Sequence, residues 1–326
     1  MEPSEARLLV IDGNHALHRV LRMEEYAGLT STSGEHTGGV YGILSTLRKS
    51  LQKFNVITNI VYCWDHGRSA RRLALYPEYK ANRGPKPGEE EEHARFQALF
   101  DDQRLKVMEI LVYLGCRQIM MSGKEGDDLV GRICKLYKDT PKVIVSEDRD
   151  FLQLIDGTTT MYRPILDKFF TTENFQESVG VPLCNFKMKK ALLGDDGDNI
   201  SSIDGVGGTT TDKVANAMSM EGTGDTFDSK KADLIRACND LMETDKRSRK
   251  RYTKIVENLD IVDRNFKLID ICAEEFTQEE QDTLDQEVHS RAYFLEQEIL
   301  QFFQRMEFNS LLQKWSWFSE PFRRLS

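Results

Sequence analysis

The chain has 326 residues, of which 40% are apolar and 30% charged, so it reads as a soluble globular protein of one large or two ordinary domains with a substantial core. No apolar run approaches a membrane span, and residues 1–7 are polar and acidic with no signal-peptide core, so a cytoplasmic protein is expected. A net charge of −9 argues at face value against a nucleic-acid partner, because phosphate backbones call for a positive surface.

In chain order, Leu8-Leu9-Val10-Ile11 reads as a buried strand, and Val40, Ile43, Leu44, Leu47 and Leu51 mark a helix over 40–54. Ile60 to Trp64 is a second strand. Residues 67–92 follow as a charged excursion with Pro77, Pro85 and Pro87, too long and polar for an ordinary connection. A helix over 94–114, a strand over 118–121, a helix over 129–137 and a strand over 143–145 continue the alternation. Strands alternating with helices predict an α/β fold with a mainly parallel central sheet flanked by helices. Beyond Leu183 the pattern is helical with charged faces, which places a boundary at Gly180-Val181-Pro182 and divides the chain into 1–182 and 183–326. Trp315-Ser316-Trp317-Phe318 reads as core. The six cysteines are scattered without a C-x-x-C pair, as expected of reduced thiols. His15 and His18 lack the further partners that a zinc site needs.

The acids are placed with a pattern that the net charge conceals. Asp12 follows the first strand, Asp65 the second, and Asp148 and Asp150 the strand over 143–145. In an open α/β sheet the ligand crevice lies outside the carboxyl ends of the strands, so these four share one rim. Glu125, Asp127 and Asp128 stand at the start of a helix, where the dipole alone would favour them. Asp195 and Asp198 add two more in Gly194-Asp195-Asp196-Gly197-Asp198-Asn199. Carboxylates gathered in one cleft raise one another's pKa or admit cations, and oxygen-only ligands select hard ions such as Mg²⁺ or Mn²⁺. Two such ions can clamp the attacking and leaving oxygens of a phosphodiester displacement.

Cations concentrate in the excursion: Arg68, Arg71, Arg72, Lys80, Arg83 and Lys86, with Tyr76 and Tyr79 interleaved. Cations with stacking-competent rings suit a single-stranded nucleic acid, and equally a solvated loop. Gly205, Gly207 and Gly208, leading to Thr209 and Thr210, form a glycine-rich turn whose backbone N–H groups would make an anion nest before a helix. Lys246, Arg247, Arg249, Lys250, Arg251 and Lys254 form a further basic run, read as a solvated helix face with duplex contact as the alternative.

Taken together, Ile11-Asp12-Gly13-Asn14, Trp64-Asp65, Tyr76-Pro77-Glu78-Tyr79-Lys80-Ala81-Asn82-Arg83, Glu125-Gly126-Asp127-Asp128, Ser146-Glu147-Asp148-Arg149-Asp150-Phe151 and Leu193-Gly194-Asp195-Asp196-Gly197-Asp198-Asn199-Ile200 occur in an order that resembles the 5′-nucleases. That family includes flap endonucleases, phage 5′→3′ exonucleases and the nuclease domain of bacterial type-A DNA polymerases, and the likeness is to a free-standing form. The resemblance implies a PIN-like core with a helical arch at about 67–95 and a helix-hairpin-helix (H3TH) element in the helical region. It implies a monomeric, metal-dependent phosphodiesterase acting on DNA at 5′ flaps, nicks, gaps and RNA–DNA primer junctions in replication and repair. By position, Asp12, Asp65, Glu125, Asp127, Asp128, Asp148, Asp150, Asp195 and Asp198 would hold two Mg²⁺ ions, with Mn²⁺ as a substitute. Lys80 and Arg83 would sit on the arch helix at the scissile phosphate, and Tyr79 would stack on a base. The 205–210 hairpin would grip duplex, through K⁺ as in much of the family. The chain departs from the family at Thr209 and Thr210, where a lysine before the threonine is usual, and at Ser201-Ser202, where a proline is usual. A PIN-type ribonuclease and a non-catalytic junction-binding protein are the alternatives; the long arch and hairpin weigh against the first and the nine acids against the second.

Overall fold

The computed structural model of the chain describes residues 6–54, 56–220 and 224–325. Strands β1 (Leu8–Asp12), β2 (Asn59–Trp64), β3 (Arg117–Met120), β4 (Lys142–Val145), β5 (Thr159–Arg163) and β6 (Lys168–Phe170) form one sheet in the order β3-β2-β1-β4-β5-β6. The first five pair in parallel and β6 closes the edge antiparallel. Leu8 to Asp12 are all buried, as a central parallel strand covered on both faces requires. The α/β reading holds, and β5 and β6 add an end to the sheet that the sequence pattern does not announce.

The helices in chain order are α1 (Gly13–Leu21), α2 (Glu24–Ala27), α3 (Gly38–Lys53), α4 (Ala70–Leu75), α5 (Glu90–Tyr113), α6 (Gly126–Leu136), α7 (Phe175–Val179), α8 (Phe186–Leu193), α9 (Gly208–Ala217), α10 (Phe227–Thr244), α11 (Arg249–Glu257), α12 (Leu259–Ile269), α13 (Gln278–His289), α14 (Glu296–Arg305), α15 (Asn309–Gln313) and α16 (Trp315–Ser319). The helix expected over 40–54 is α3, and the one expected over 94–114 is α5, which begins four residues earlier. Three acids in the first turn of α5 explain the early start, since they complement the helix dipole.

One face of the sheet packs against α1, α3 and α5 and is completed by Ile299, Phe302, Phe303, Phe318 and Phe322 from the C-terminal helices. The opposite face packs against α6 and α7, with Leu284 and Val288 of α13. A separate apolar cluster joins α8 to α12 and takes in Tyr79. Trp315-Ser316-Trp317-Phe318 divides: Phe318 is buried, while Trp317 is half exposed beneath the Arg48 guanidinium, 3.2 Å from its ring centre. Gly13 sets α1 close to β2, because a Cβ there would fall 2.7 Å from the Trp64 ring. That close approach brings the start of α1 to the carboxyl end of the sheet, where the acids gather.

Candidate active site

Asp12 ends β1 and caps α1, its Oδ1 accepting the His15 N–H at 3.0 Å. Asp65 follows β2; its Oδ1 accepts the Gly126 N–H at 2.5 Å and its Oδ2 the Asn14 amide at 2.8 Å. Asp148 follows β4, accepts the Asp150 N–H at 2.8 Å and stands 3.8 Å from His15 Nδ1. Asp127 comes from the first turn of α6. These four carboxylates line one open cavity of about 920 Å³, together with Lys80, Arg83, His18, Arg22 and Phe96. Asp127 also borders a void of about 10 Å³, the size of a single water, that it shares with Asp150, Asp195 and Asp198. It thus joins the two groups of acids.

Crowding is visible in their proton affinities. Burial, reinforced by the Asp65 and Asp148 charges, pushes the Asp12 carboxyl up to about 8. Burial and then the charges of Asp12 and Asp148 hold Asp127 well above the usual carboxylate range. Asp150 is pushed up to about 6, chiefly by burial and against the opposing pull of Lys190. Burial brings His18 down to about 4, with Arg22 adding to it, so its ring is neutral as it stacks on Phe100 at 4.1 Å.

Two lysines neutralise part of this charge. Lys80 Nζ donates to Glu125 Oε2 at 2.7 Å and lies 4.0 Å from Asp198. Lys190 Nζ bridges Asp150 and Asp195, with its bond to Asp195 Oδ2 at 3.1 Å. Among the described residues, no three carboxylate, imidazole or thiolate groups converge into a ready cage for an ion. The donor chemistry nevertheless fits a hard cation: oxygen-only ligands, raised proton affinities that a cation would relieve, and ammonium groups standing in the gaps.

The excursion folds down onto this rim rather than arching away from it. The Lys80 N–H donates to the Asp198 carbonyl at 2.9 Å, Asn82 Nδ2 to the Asp196 carbonyl at 2.6 Å and Asn199 Nδ2 to the Glu78 carbonyl at 2.7 Å. Lys80 has φ 55°, a left-handed conformation that costs about 1–3 kcal/mol in a non-glycine residue and is held by these bonds. Lys80 and Arg83 therefore lie on a strained residue and a 3-10 turn over Ala81–Arg83, not on an arch helix. Both reach the cleft, Arg83 through a 2.5 Å bond to Asp198.

Other expected roles change with burial. Tyr79 is buried, and its hydroxyl donates to Glu125 at 2.9 Å and Asp198 at 3.1 Å, so it holds acids in place instead of stacking on a base. Arg72 is 2% exposed and grips Asp128 through two bonds of 2.7 and 2.8 Å, with Glu125 at 3.2 Å. It faces no nucleic acid, and Asp128, fully buried in that pair, faces no metal cleft. Arg71 remains partly exposed, with its guanidinium bonded to Glu274 and to the Lys267 and Asp270 carbonyls. Glu125 is buried among Arg72, Tyr79 and Lys80. Arg68 and Lys86 are exposed, as a DNA contact requires.

In the hairpin, Gly205 turns the chain at φ 76°, Gly207 caps α9, and Gly205, Gly207 and Thr209 are exposed, with Gly208 partly so. Thr210 is buried, which withdraws its side chain from that surface. Lys254 of α11 reaches the hairpin, donating to the Asp204 carbonyl at 2.9 Å and carboxylate at 2.7 Å. Lys190 and Glu274 are working residues that sequence reasoning passes over, while Asn14 enters it only within the first motif and His15 only as a rejected zinc ligand. Lys190 carries a signal, five residues before Asp195 on a helix leading to it.

Comparison with known proteins agrees with this geometry. A family profile described as "5′-3′ exonuclease, N-terminal resolvase-like domain" matches residues 7–180. The chain is 31% identical over 217 residues to a 5′-3′ exonuclease of Bacillus subtilis, covering 64% of this chain and 69% of that protein. It has the same identity over 217 residues to DNA polymerase I of Caldicellulosiruptor bescii, covering 64% of this chain but only 24% of the polymerase. Among solved structures, the bacteriophage T5 5′-exonuclease with divalent zinc ions bound superposes with TM-score 0.59 at 19% identity, over 91% of this chain and 98% of that one. Human GEN1 in complex with Holliday junction DNA superposes with TM-score 0.57 at 12% identity, over 98% of this chain and 71% of that one. At these identities the structural likeness is one of fold. The profile match over residues 7–180 spans more than half of the sequence, and the chain belongs to the 5′-3′ exonuclease family with the resolvase-like N-terminal domain.

Proposed function

We propose that the chain is a metal-dependent 5′→3′ exonuclease and structure-specific 5′-flap endonuclease. The observation that carries this reading is the open cavity lined by Asp12, Asp65, Asp127 and Asp148 with Lys80 and Arg83 on its wall. Asp12, Asp65, Asp127 and Asp148 would hold one Mg²⁺, and Asp150, Asp195 and Asp198 a second, with Mn²⁺ as a substitute. Metal held by these residues would supply an activated water at neutral pH and charge stabilisation for the leaving oxygen. Lys80 and Arg83 turn from their carboxylate partners to the phosphoryl oxygens, where positive charge offsets what develops in the transition state. Arg68, Lys86 and the 205–209 hairpin contact the strand and duplex backbones, the hairpin with K⁺. The substrates are 5′ flaps, nicked or gapped duplex and RNA–DNA primer junctions, met by a monomer in the cytoplasm during replication and repair. No helix among the described residues is long and apolar enough to cross a membrane.

Product mapping on an end-labelled 5′-flap duplex tests the reading. Cleavage near the junction in Mg²⁺, abolished by EDTA and leaving 5′-phosphorylated fragments, is expected; cleavage undiminished by EDTA would refute it. Lys80→Ala is expected to slow single-turnover cleavage by orders of magnitude in a protein that stays folded.

A further inference from the structure

Beside the acidic cleft lies a second chamber of about 250 Å³ between the sheet and helices α1 and α3, whose lining includes the exposed Glu25, Lys49 and Ile165. Its floor is one register row across four strands: Tyr62 of β2 faces Ile11 of β1, Ile11 faces Val145 of β4, and Val145 faces Tyr162 of β5. Ala16, Val20, Ile43 and Leu47 close it from above. Asp12, His15, Arg19 and Met23 line both this chamber and the acidic cavity, so the two communicate at the carboxyl end of β1.

The chamber would hold roughly ten or more waters at about 10–15 Å³ each, and the apolar side chains of Ile11, Ala16, Val20, Ile43, Leu47 and Val145 offer them no hydrogen bonds. Tyr62, only 2% exposed, contributes a hydroxyl with no hydrogen-bond partner among the described residues. With no protein partner to give up, that hydroxyl can bond a ligand atom at little cost. One wall is charged: Glu147 accepts from Arg163 at 3.0 Å and lies 3.5 Å from Arg19. Two aromatic floor residues opposite aliphatic helix residues make a slot suited to a flat ring with a polar edge.

We infer that this chamber is a nucleobase subsite: a heteroaromatic base enters between Tyr62 and Tyr162 below and Ile43 and Leu47 above, bonding the Tyr62 hydroxyl, while its phosphate stays at the mouth beside Asp12. Neither an alkyl chain nor an inorganic ion uses both the slot and the hydroxyl. The base comes either from the nucleotide next to the cut bond or from a free nucleotide. The strand base rests on the proposed nuclease reading; the chamber itself does not.

The test titrates deoxyadenosine 5′-monophosphate and base-less deoxyribose 5-phosphate into the full chain in EDTA by calorimetry. The nucleotide should bind at least tenfold more tightly than the sugar phosphate. Leu47→Trp, which grows into the chamber, should abolish that difference. Tyr62→Phe should weaken the nucleotide several-fold with Tm unchanged or raised, because the hydroxyl bonds nothing in the protein; this guards against misfolding of the tryptophan variant. Equal binding of the two probes, or a difference that survives in a folded Leu47→Trp protein, overturns the subsite. Flap cleavage with an abasic residue beside the cut bond then separates the sources. Slowed cleavage assigns the chamber to the strand, and unchanged cleavage with base-dependent binding assigns it to a free nucleotide. A protein that binds the nucleotide base-dependently but cuts no flap in Mg²⁺ would refute the nuclease reading and leave the chamber standing.

Discussion

Arg72 shows how one buried cation organises a site without belonging to its surface. It binds Asp128 in two-pronged fashion, reaches Glu125, and donates to the Leu268 carbonyl at 2.9 Å, which ties α4, α6 and α12 together. Replacing it by methionine keeps the stem but strands a fully buried carboxylate, which costs about 3–5 kcal/mol. Urea denaturation of Arg72→Met should show that loss; an unchanged midpoint would mean Asp128 finds another partner. Asp12 makes a different prediction. With its carboxyl pushed up to about 8, facing Asp65 and Asp148 with Lys80 as the opposing charge, the folded state holds a proton that the unfolded chain releases near its ordinary 3.8. Its contribution to stability is therefore full at low pH and is lost as pH rises toward 8, at up to about 1.4 kcal/mol per unit. In EDTA, Tm should fall between pH 5 and 8, and Mg²⁺ should restore more of it at pH 8 than at pH 5. Calorimetric scans across that range check this, and a flat EDTA profile would contradict it.

At the scale of elements, the loop over residues 195–199 and the segment over 78–83 form a clasp, closed by backbone and asparagine bonds, that carries Lys80 and Arg83 to the acids. Helix α11 is tied to the hairpin by Lys254, and Asp245 at the end of α10 accepts both from Lys213 of α9 at 2.5 Å and from the Tyr252 hydroxyl of α11 at 2.9 Å. Just before and within α11, Arg247, Lys250 and Arg251 are exposed and enter no ion pair among the described residues. Each phosphate contact contributes about 0.9 to the salt slope of duplex binding. Replacing these three by alanine should lower that slope by about 2–3 in a fluorescence titration, with Tm unaltered. An unchanged slope would return α11 to the role of a solvated face.

For the whole molecule, the C-terminal helices are structural partners of the first half of the chain. Phe302, Phe303, Phe318 and Phe322 are buried in the same core as Leu9, Ile11 and Ile60. Deleting residues 296–326 exposes that surface, and a Tm lower by on the order of 10 °C or more is expected by scanning fluorimetry. Retained stability would mean that the core closes without them. The net charge of −9 also reads differently at this scale. Part of it is held in a cleft partly balanced by Lys80 and Lys190, and cations elsewhere are free to meet phosphate.

The alternation of Leu8–Ile11, Ile60–Trp64 and Val143–Val145 with amphipathic helices was enough to determine the parallel sheet, because strand and helix periods are local properties of sequence. The same locality placed Asp12, Asp65 and Asp148 at strand ends on one rim. Strands β5 and β6 escaped it: they are short and their pairing is settled by the rest of the sheet. Which acids face the cleft and which are consumed by Arg72, whether Tyr79 looks outward or inward, and that Lys190 bridges Asp150 and Asp195 were decided only by tertiary structure. Burial and charge pairing depend on residues brought together from distant parts of the chain, and no spacing along it records their approach.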